Sequence, residues 1–456
     1  MIKYIDLISK RKKKESNLKS RNKNTKFRET PGLTHITQID NYNIIYSPLA
    51  GRLYSLDKKE FIFFKELPNK SVERKDIKKF IESGLLIPCF STFPINFFLK
   101  NKHRKEKKLA LFLTNDCNLA CKYCYGERDK ISYLKFDLAK KVIDKFIERE
   151  KPKELSIDFH GGGEPTLALS LMKKIIKYVK AKKIKSNFNI QTNGIISKYT
   201  KYWLFKNMRS IAVSCDGPPS IQDKQRPIKN GQKSSFFVEK TIRFLVDNNY
   251  KNLFINAVIS SFSVDRMEEI VKYFYNLGVK NIGFSLLSET RRSKKNKIYP
   301  PNLDEYIENA LKIIKFADGH KIKIRLELLP MNEPKFSFCG LSNPQFCLTP
   351  DGYISSCYEV TSKNSEIQDF LYGRFNEKKN KLEFDNKRLK YLKRRRVGNI
   401  KKCQNCYLRL VCAGDCPARA YRYTGSIFKP SQERCKAIKE FTKKYLIYKA
   451  RKELIP

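Results

Sequence analysis

Residues 109–125 read LALFLTNDCNLACKYCY, an apolar run followed at once by three cysteines. The apolar run is typical of a buried strand, and the cysteines fall in the loop after it. Their spacing, at Cys117, Cys121 and Cys124, allows three thiolates to hold three corners of a cubane iron–sulfur cluster. A structural zinc site has four protein ligands, so three thiolates and an open position indicate chemistry at the fourth iron. A zinc ion that borrows a distant ligand is the alternative.

The same strand is the first of six that alternate with helices. The predicted strands cover 109–115, 155–160, 188–193, 210–215, 253–260 and 281–287, and the predicted helices cover 136–150, 166–182, 197–207, 235–248, 265–277 and 303–316. Such alternation predicts a parallel sheet with right-handed crossovers. Several strands end in polar or Gly-rich residues, so we expect an open, partial (β/α)6 TIM-like barrel of the α/β class over 109–330. In such barrels the chemistry lies at the carboxyl ends of the strands.

Five further segments flank the barrel. In chain order they are a basic flexible arm, a small domain, a linker, a cysteine-rich domain and the end of a C-terminal helix, at 1–33, 34–98, 99–108, 331–440 and 441–456. In the small domain, strand-like stretches precede two short helices, with Asp57 as a helix cap and Gly84 as a stop. This order predicts a winged-helix-like module that binds a peptide or a nucleic acid.

Composition excludes several classes of protein. The chain has 456 residues and is 41% apolar, which excludes wholesale disorder. No apolar stretch approaches the roughly 20 residues that span a bilayer, and the first residues lack a signal-peptide core. We therefore expect a soluble, cytoplasmic protein with no membrane partner.

The charge is strongly positive. Lys and Arg number 94 against 46 Asp and Glu, for a net charge of +48. The runs at 10–14, 101–108, 291–297 and 393–396 are typical of solvated tails, linkers and loops. A solvated, genome-biased surface is one interpretation of the charge, and a polyanionic partner, either an acidic peptide or a nucleic acid, is the functional alternative.

The thirteen cysteines are concentrated: ten lie in the stretches 117–124 and 339–416. A cytosolic chain with an odd number of cysteines is a poor candidate for complete disulfide pairing. Buried core cysteines would not cluster in this way. Metal ligation is therefore the leading interpretation.

The spacing Cys-x3-Cys-x2-Cys resembles that of the radical S-adenosylmethionine (SAM) superfamily, and further motifs follow at successive strand ends. FHGGGEPTL contains Gly162, Gly163 and Glu164, similar to the GGE motif with which the family contacts the SAM amino group. QTNG, with Asn193, ends the third strand, and SCDGP, with Ser214, ends the fourth. The resemblance implies that Ser214 contacts the SAM ribose and that Tyr125 lies beside the adenine.

The resemblance also implies cofactors and a reaction. In the family the three cysteines bind a [4Fe-4S] cluster whose fourth iron takes the amino and carboxylate groups of SAM. An electron from the cluster cleaves SAM to a 5′-deoxyadenosyl radical, which abstracts hydrogen from the substrate. A donor such as flavodoxin or ferredoxin would supply that electron.

The C-terminal cysteines resemble the SPASM extension of radical SAM enzymes. The pattern consists of Cys339, Cys357, Cys403, Cys406, Cys412, Cys416 and Cys435. Members with this pattern carry two auxiliary [4Fe-4S] clusters, which makes three clusters in all. Two fully ligated cubanes need eight ligands, and Cys347 is the natural eighth. By resemblance, one cluster would use Cys339, Cys347, Cys357 and Cys416, and the other Cys403, Cys406, Cys412 and Cys435; two zinc ribbons are the alternative.

Enzymes of this architecture mostly modify peptides and proteins. The favoured hypothesis is a maturase that forms a thioether or carbon–carbon crosslink in a ribosomally made precursor peptide, whose leader would bind residues 34–98. Anaerobic sulfatase maturases are one alternative, although Tyr358 and Glu359 follow Cys357 where those enzymes carry Asp. An enzyme acting on RNA is a less favoured alternative. Candidates for a catalytic base are Glu359, Tyr358 and Asp216.

Overall fold

The amino-terminal part of the chain folds as a small antiparallel sheet with two helices. Its strands are β1 (Lys3–Asp6), β2 (Phe27–Glu29), β3 (Thr34–Ile39), β4 (Tyr42–Ser47), β5 (Arg52–Asp57) and β6 (Leu86–Pro88), and its helices are α1 (Lys58–Glu66) and α2 (Arg74–Ser83). The four-stranded sheet has the order β1-β5-β4-β3, and β2 pairs separately with β6. Ile44, Leu53 and Tyr46 face the rest of the molecule, whereas Tyr54 and Phe80 belong to the domain's own core.

The computed structural model describes residues 2–7, 27–29, 33–48, 51–67, 74–88, 106–126, 130–330 and 334–455. The prediction of a flexible arm over 1–33 is wrong at Lys3–Asp6 and Phe27–Glu29, which form strands. The free edge of β5 supplies backbone partners for Lys3–Asp6, and Arg52 pairs with Asp6 at 2.8 Å. Most of the arm, the charge run at 10–14, residues 89–98 and most of the predicted linker lie outside the described residues.

The start of α1 has the predicted cap. The Asp57 carboxylate accepts a hydrogen bond from the Glu60 backbone N–H at 2.7 Å, and the Glu60 side chain accepts one from the Asp57 N–H at 3.2 Å. This reciprocal capping box satisfies two backbone donors that the helix leaves unpaired. At the end of α2, Gly84 has the left-handed φ of +80° that glycine adopts without strain.

Replacing Asp57 by Ala removes the cap, and we expect helix α1 to lose about 1 kcal/mol of local stability. Hydrogen exchange of the first-turn amides should then accelerate about fivefold. The matched control is Asp57→Asn, which keeps a capping oxygen and should exchange like the wild type. Equal protection in the Ala variant would contradict this account of the cap.

The barrel follows the predicted strand–helix alternation. Its strands are β7 (Glu106–Phe112), β8 (Glu154–His160), β9 (Lys185–Thr192), β10 (Ser210–Ser214), β11 (Leu253–Ile259), β12 (Asn281–Leu286) and β13 (Lys323–Leu326). Its helices are α3 (Phe136–Glu150), α4 (Leu169–Ala181), α5 (Lys198–Asn207), α6 (Pro219–Gln225), α7 (Ser235–Asp247), α8 (Met267–Asn276), α9 (Arg291–Lys295) and α10 (Leu303–His320). All neighbouring pairs from β7 to β13 are parallel, which confirms the predicted α/β fold. Strand β7 begins at Glu106, so the predicted linker ends before residue 106.

The cysteine-rich region extends the barrel sheet, which the sequence analysis did not predict. Its elements are β14 (Phe346–Leu348), β15 (Tyr353–Ser355), β16 (Leu371–Asn376), β17 (Lys381–Phe384), α11 (Asn386–Lys393), α12 (Arg409–Cys412), α13 (Pro417–Thr424) and α14 (Gln432–Glu453). Strand β14 pairs in parallel with β7, and β15 to β17 add an antiparallel meander. The sheet therefore stays open and has eleven strands among the described residues.

Helix α14 joins the parts of the molecule. It packs against α10 of the barrel and against β3, β4 and β5 of the amino-terminal sheet. Within the described residues, no helix has both the length and the apolar character needed to cross a membrane.

Candidate functional site

A cavity of about 370 Å³ opens at the carboxyl ends of the barrel strands. The loops after β7, β8, β9 and β10 all contribute to its wall. Nine residues singled out from the sequence as cluster ligands or SAM contacts line it together: Cys117, Cys121, Cys124, Tyr125, Gly162, Gly163, Glu164, Asn193 and Ser214. Residues up to 97 positions apart in the chain thus meet because parallel strands bring their carboxyl ends to one edge.

The cysteine loop presents its sulfurs to polar N–H groups. Cys117 Sγ accepts hydrogen bonds from the Leu119 N–H at 3.4 Å and from Asn193 Nδ2 at 3.5 Å, and Cys124 Sγ accepts one from the Gly126 N–H at 3.3 Å. Such bonds stabilise a thiolate and tune an iron–sulfur cluster. Burial raises the pKa of Cys121 to about 12, and binding to iron would favour its ionised form.

The described residues contain no three His, Cys, Asp or Glu side chains that converge on a position for a single metal ion. A cubane cluster instead needs one thiolate at each of several separate irons. The three sulfurs of the loop, with an open cavity in front of them, fit that requirement.

A buried hydrogen-bond network holds the cysteine loop in place. The Tyr123 hydroxyl donates to Asp216 Oδ2 at 2.6 Å and accepts from Arg226 Nη1 at 2.8 Å. Asp216 also accepts from Gln225 Nε2 at 2.9 Å and from the Val258 N–H at 3.0 Å. Asp216, a candidate base, is fully buried in this network and is absent from the cavity wall. The structure therefore gives Asp216 a positioning role between the cysteine loop and strands β10 and β11.

The glycines of the GGG run are needed where two loops meet. A Cβ on Gly163 would lie 2.0 Å from the Asp116 carbonyl oxygen. Next to it, the Glu164 N–H donates to the same oxygen at 2.7 Å. Gly163 is therefore required by the close approach of the cysteine loop.

The Gly163→Ala substitution should displace the cysteine loop, because the contact at Asp116 is with backbone rather than with a flexible side chain. We expect the anaerobically reconstituted variant to hold about four irons fewer than the wild type. Gly319→Ala is the matched control, since a Cβ there meets nothing within 4 Å. Full iron content in the Gly163 variant would show that the close approach does not position the loop.

Glu164 suits a cationic ligand. It is 2% exposed, and it accepts hydrogen bonds from the Asn193 N–H at 2.7 Å, the Thr192 hydroxyl at 2.8 Å and the Thr166 hydroxyl at 2.7 Å. No ion pair among the described residues includes Glu164. A buried carboxylate that faces a cavity with only neutral donors around it is a fitting partner for an ammonium group.

A chain of polar groups orients Ser214. The Gly161 N–H donates to His160 Nδ1 at 2.7 Å, so Nε2 carries the proton and donates to Gln191 Oε1 at 2.8 Å. Gln191 Nε2 then donates to the Ser214 hydroxyl at 3.2 Å. Burial lowers the pKa of His160, which keeps the ring neutral. His160 thus orients Gln191, and through it Ser214, and its ring is uncharged at neutral pH.

The other two candidate bases differ in position. Glu359 lines the cavity, and its Oε2 accepts a hydrogen bond from Arg422 Nη2 at 3.0 Å. Tyr358 packs its ring 4.6 Å from that of His160 and donates to Asp158 Oδ2 at 3.3 Å, away from the cavity wall. Of the three candidates, the structure brings Glu359 alone to the cavity.

Three arginines in the cavity wall were missed by the sequence analysis: Arg226, Arg325 and Arg419. Arg226 stands in the stretch QDKQRP at 222–227, shortly after the SCDGP motif of the fourth strand. Arg325 lies on the seventh strand, and Arg419 comes from α13 of the cysteine-rich region. Ser288, Leu286 and Glu327 already engage the nitrogens of Arg419. Among the hydrogen bonds of the described residues, Arg226 and Arg325 keep N–H donors that a carboxylate ligand needs.

Four C-terminal cysteines form one group. Burial, with the nearby thiols of Cys435 and Cys406, raises the pKa of Cys403 to about 11. Burial raises the pKa of Cys412 to about 12, and Cys403 and Cys435 are among its neighbours. The structure therefore brings together the four residues assigned by resemblance to one auxiliary cluster.

Of the four cysteines assigned by resemblance to the other auxiliary cluster, the structure brings only three together. Cys416 and Cys339 are electrostatic neighbours of Cys357, so these three thiols form a second group. Cys347 instead lies in β14 opposite Ala110, fully buried. The structure does not bring Cys347 into the second group.

Arg395 separates the two groups of thiols. It was part of the 393–396 run expected in a solvated loop, and that expectation is wrong for Arg395, which is 0% exposed. Its guanidinium donates to the carbonyls of Ala413, Gly414 and Ile427 at 2.9, 2.6 and 2.8 Å. The turn at 413–415, where all three residues have positive φ, joins Cys412 to Cys416. Arg395 therefore holds the turn that sends neighbouring cysteines to different groups.

Replacing Arg395 by Met should leave several buried carbonyls unsatisfied and destabilise this region by about 3 kcal/mol. We expect a lower melting temperature and a loss of up to about eight irons from the reconstituted protein. The exposed neighbour provides the control, because Arg396→Met should leave both unchanged. Normal iron content in the Arg395 variant would contradict the role assigned to this side chain.

Comparison with known proteins identifies the family. The model of the Radical SAM superfamily matches residues 111–273. An uncharacterized protein of Methanocaldococcus jannaschii is 32% identical over 203 residues, which cover 44% of this chain and 68% of that protein. The chain belongs to the radical SAM superfamily. This confirms the prediction, made from the cysteine motif, that the chain is an enzyme of this family. SAM and a [4Fe-4S] cluster are the cofactors of that family.

Two further relatives have named activities. The radical SAM cyclopropyl synthase TigE of Paramaledivibacter caminithermalis is 25% identical over 358 residues, 72% of this chain and 71% of that enzyme. A serine-type anaerobic sulfatase-maturating enzyme of Bacteroides thetaiotaomicron is 28% identical over 209 residues, 43% of this chain and 49% of that enzyme. These relatives confirm the predicted likeness to maturases of the SPASM type.

Solved structures share the fold. Native anSMEcpe with bound AdoMet and Kp18Cys peptide has a TM-score of 0.60 and 20% identity, over 76% of this chain and 99% of that chain. Streptococcus suis SuiB bound to precursor peptide SuiA has a TM-score of 0.51 and 14% identity, over 90% of this chain and 99% of that chain. The likeness to SuiB thus includes most of the chain.

Proposed function

We propose that this radical SAM enzyme abstracts hydrogen from a ribosomally made peptide and so forms a thioether or carbon–carbon crosslink. The observation that carries the proposal is the meeting of Cys117, Cys121, Cys124 and Glu164 in one cavity at the strand ends. When bound there, the cluster and SAM would supply the 5′-deoxyadenosyl radical. The protein's own side chains orient SAM and hold the substrate.

Each proposed SAM contact has a local physical basis. Glu164 would take the ammonium group, because it is a buried carboxylate without a cationic partner among the described residues. Ser214 would bind the ribose in the orientation that Gln191 imposes. Tyr125 follows the last cysteine of the loop and would lie beside the adenine, and Asn193 would link the cluster thiolate of Cys117 to the SAM pocket.

The two C-terminal groups of thiols would hold auxiliary clusters. The group of Cys403, Cys406, Cys412 and Cys435 has the four thiolates that one cubane needs. The second group lies nearer the SAM cavity, because Glu359 follows Cys357 by two residues and lines that cavity. Clusters in these positions would accept the electron that remains after hydrogen abstraction.

The peptide partner is supported by relatives and by the amino-terminal sheet. TigE is a cyclopropyl synthase by name, and the SuiB structure contains a precursor peptide. Strand β3 is an edge of the amino-terminal sheet among the described residues, and a leader peptide would add a strand there, within residues 34–98. An acidic leader would be steered by the +48 chain. Flavodoxin or ferredoxin would supply the electron.

A second candidate is modification of a protein Ser or Cys in the manner of a sulfatase maturase. The 28% identity to the Bacteroides thetaiotaomicron enzyme favours it. Oxidation of Ser to formylglycine removes two hydrogen atoms, as a crosslink does, so mass alone does not separate the two functions. A crosslink joins two residues and blocks backbone fragmentation between them, whereas formylglycine leaves the residues unlinked and carries an aldehyde that reacts with a hydrazine.

The test uses anaerobically reconstituted protein with dithionite, SAM and a small precursor peptide encoded beside the gene. We expect 5′-deoxyadenosine together with a peptide that has lost two hydrogens, mapped as a crosslink by tandem mass spectrometry. Cys117→Ala should abolish both products. Cys215→Ser, a buried cysteine outside the cluster loop, should keep both. SAM cleavage without any change in the peptide would refute the proposed substrate class.

A further inference from the structure

We propose that an exposed surface on helices α5 and α7 docks an acidic one-electron carrier protein beside the cysteine loop. The surface combines four aromatic rings with two lysines, and hereafter it is the donor surface: Tyr199, Tyr202, Lys206, Phe236, Phe237 and Lys240. The inference rests on the electron donor of the proposed function, and it adds the place where that donor binds.

The donor surface presents its aromatic rings to solvent. Tyr199, Phe236 and Tyr202 are 61%, 58% and 57% exposed, the three highest values among the exposed large apolar side chains of the described residues. Phe237 is 45% exposed, and its ring meets that of Phe236 edge-on at a centroid distance of 5.5 Å. Exposed rings scattered singly need no explanation, whereas rings gathered on one surface indicate a binding partner.

Contacts between the two helices make the donor surface continuous. Phe205 of α5 packs edge-on against Phe244 of α7 at a centroid distance of 6.1 Å. The Thr241 hydroxyl of α7 donates to the Gly194 carbonyl, shortly before α5, at 2.7 Å. Both helices start beyond the carboxyl ends of barrel strands, so the rings near their starts lie at the same end of the barrel as the cysteine loop.

The donor surface also has positive charge that no described carboxylate balances. Two ammonium groups lie over its rings, Lys206 over Tyr202 at 5.5 Å and Lys240 over Phe236 at 4.1 Å. Among the ion pairs of the described residues, none includes either lysine. Helix α5 contains no acidic residue, and Glu239 of α7 is already paired with Arg243 at 2.8 Å. Rings beside ammonium groups without carboxylate partners suit a protein with an acidic surface.

A hydrogen bond and a packing contact connect the start of α5 to the cysteine loop. Asn118, which follows Cys117, donates from Nδ2 to the Ile195 carbonyl at 3.1 Å. The Ile195 side chain packs against the apolar group that includes Cys117 and Cys121. Helix α5 begins three residues after Ile195. A carrier on the donor surface would therefore be separated from the proposed first cluster by the short segment that joins β9 to α5.

The position of the donor surface favours an electron carrier over a substrate. None of its six residues lines the cavity. A substrate has to place its reacting atom in that cavity, whereas an electron has only to pass through protein to the cluster. The carrier is oxidised by one electron and the first cluster is reduced by one, so no atom needs a path. RNA also stacks on exposed rings among basic groups, and the experiment therefore includes it.

The experiment compares two reductants on the anaerobically reconstituted full chain. A bacterial flavodoxin, kept reduced by its reductase and NADPH, has to dock, whereas dithionite is small and does not. The rate of 5′-deoxyadenosine formation is measured with each reductant. The affinity for oxidised flavodoxin is measured by calorimetry, which needs no turnover.

Charge reversal tests the lysines. Lys206→Glu combined with Lys240→Glu should weaken flavodoxin binding about tenfold and slow flavodoxin-driven SAM cleavage, while the dithionite rate stays unchanged. The matched control is Lys251→Glu combined with Lys280→Glu, the same change of charge at two exposed lysines that precede β11 and β12. These lie at the amino ends of the strands, and the control should resemble the wild type.

Truncation tests the rings. Tyr202→Ala combined with Phe236→Ala should weaken flavodoxin binding about tenfold. Tyr275→Ala, at an exposed tyrosine of α8, is the control and should bind like the wild type.

Three results would overturn the inference. The first is a wild type that does not bind flavodoxin. The second is equal flavodoxin affinity in the wild type and in both double variants of the donor surface. The third is a loss of affinity for the precursor peptide or for a poly(U) RNA while flavodoxin affinity is kept. Failure of the proposed function has a separate sign, because dithionite would then cleave SAM without changing the peptide.

Discussion

One backbone hydrogen bond, from the Glu164 N–H to the Asp116 carbonyl at 2.7 Å, ties the loop after the first barrel strand to the loop after the second. This bond fixes the position of the three loop cysteines relative to Glu164, whose carboxylate is proposed to bind SAM. The bond is possible because Gly163 has no Cβ, and because parallel strands end at a common edge. The buried hydrogen bonds of Asp216 hold Tyr123, which lies between Cys121 and Cys124 in the chain. The hydrogen bonds from His160 through Gln191 orient Ser214. The geometry of the site therefore depends on contacts between loops rather than on any single strand.

The sequence predicted the barrel well, for a physical reason. Strand–helix alternation is a local pattern, and helix α3 was predicted at its observed bounds, Phe136–Glu150. The site residues follow strand ends, so their order in the chain already indicated that they meet. The cap at Asp57 was predicted for the same reason, since a capping box involves only neighbouring residues.

What the sequence could not predict depends on contacts between distant segments. Arg395 stands in a basic run and becomes a buried donor only because the turn at 413–415 presents its carbonyls to it. Cys347 was expected as the eighth ligand because it is the one further cysteine nearby, but its strand pairs with β7 and its thiol is fully buried. Lys3–Asp6 is short and mostly exposed, and it is a strand because β5 offers an edge. In each case the deciding partner lies far away in the chain.

In the proposed function, the loop of Cys117, Cys121 and Cys124 would hold a cluster whose fourth iron binds SAM in the cavity beside Glu164. Electron–nuclear double resonance on the reduced protein, with SAM labelled at the amino nitrogen and the carboxylate carbon, tests it most directly. The account predicts hyperfine couplings from both labels to the cluster, and their loss in Cys117→Ala. A reduced cluster whose spectrum shows no coupling to either label would contradict it.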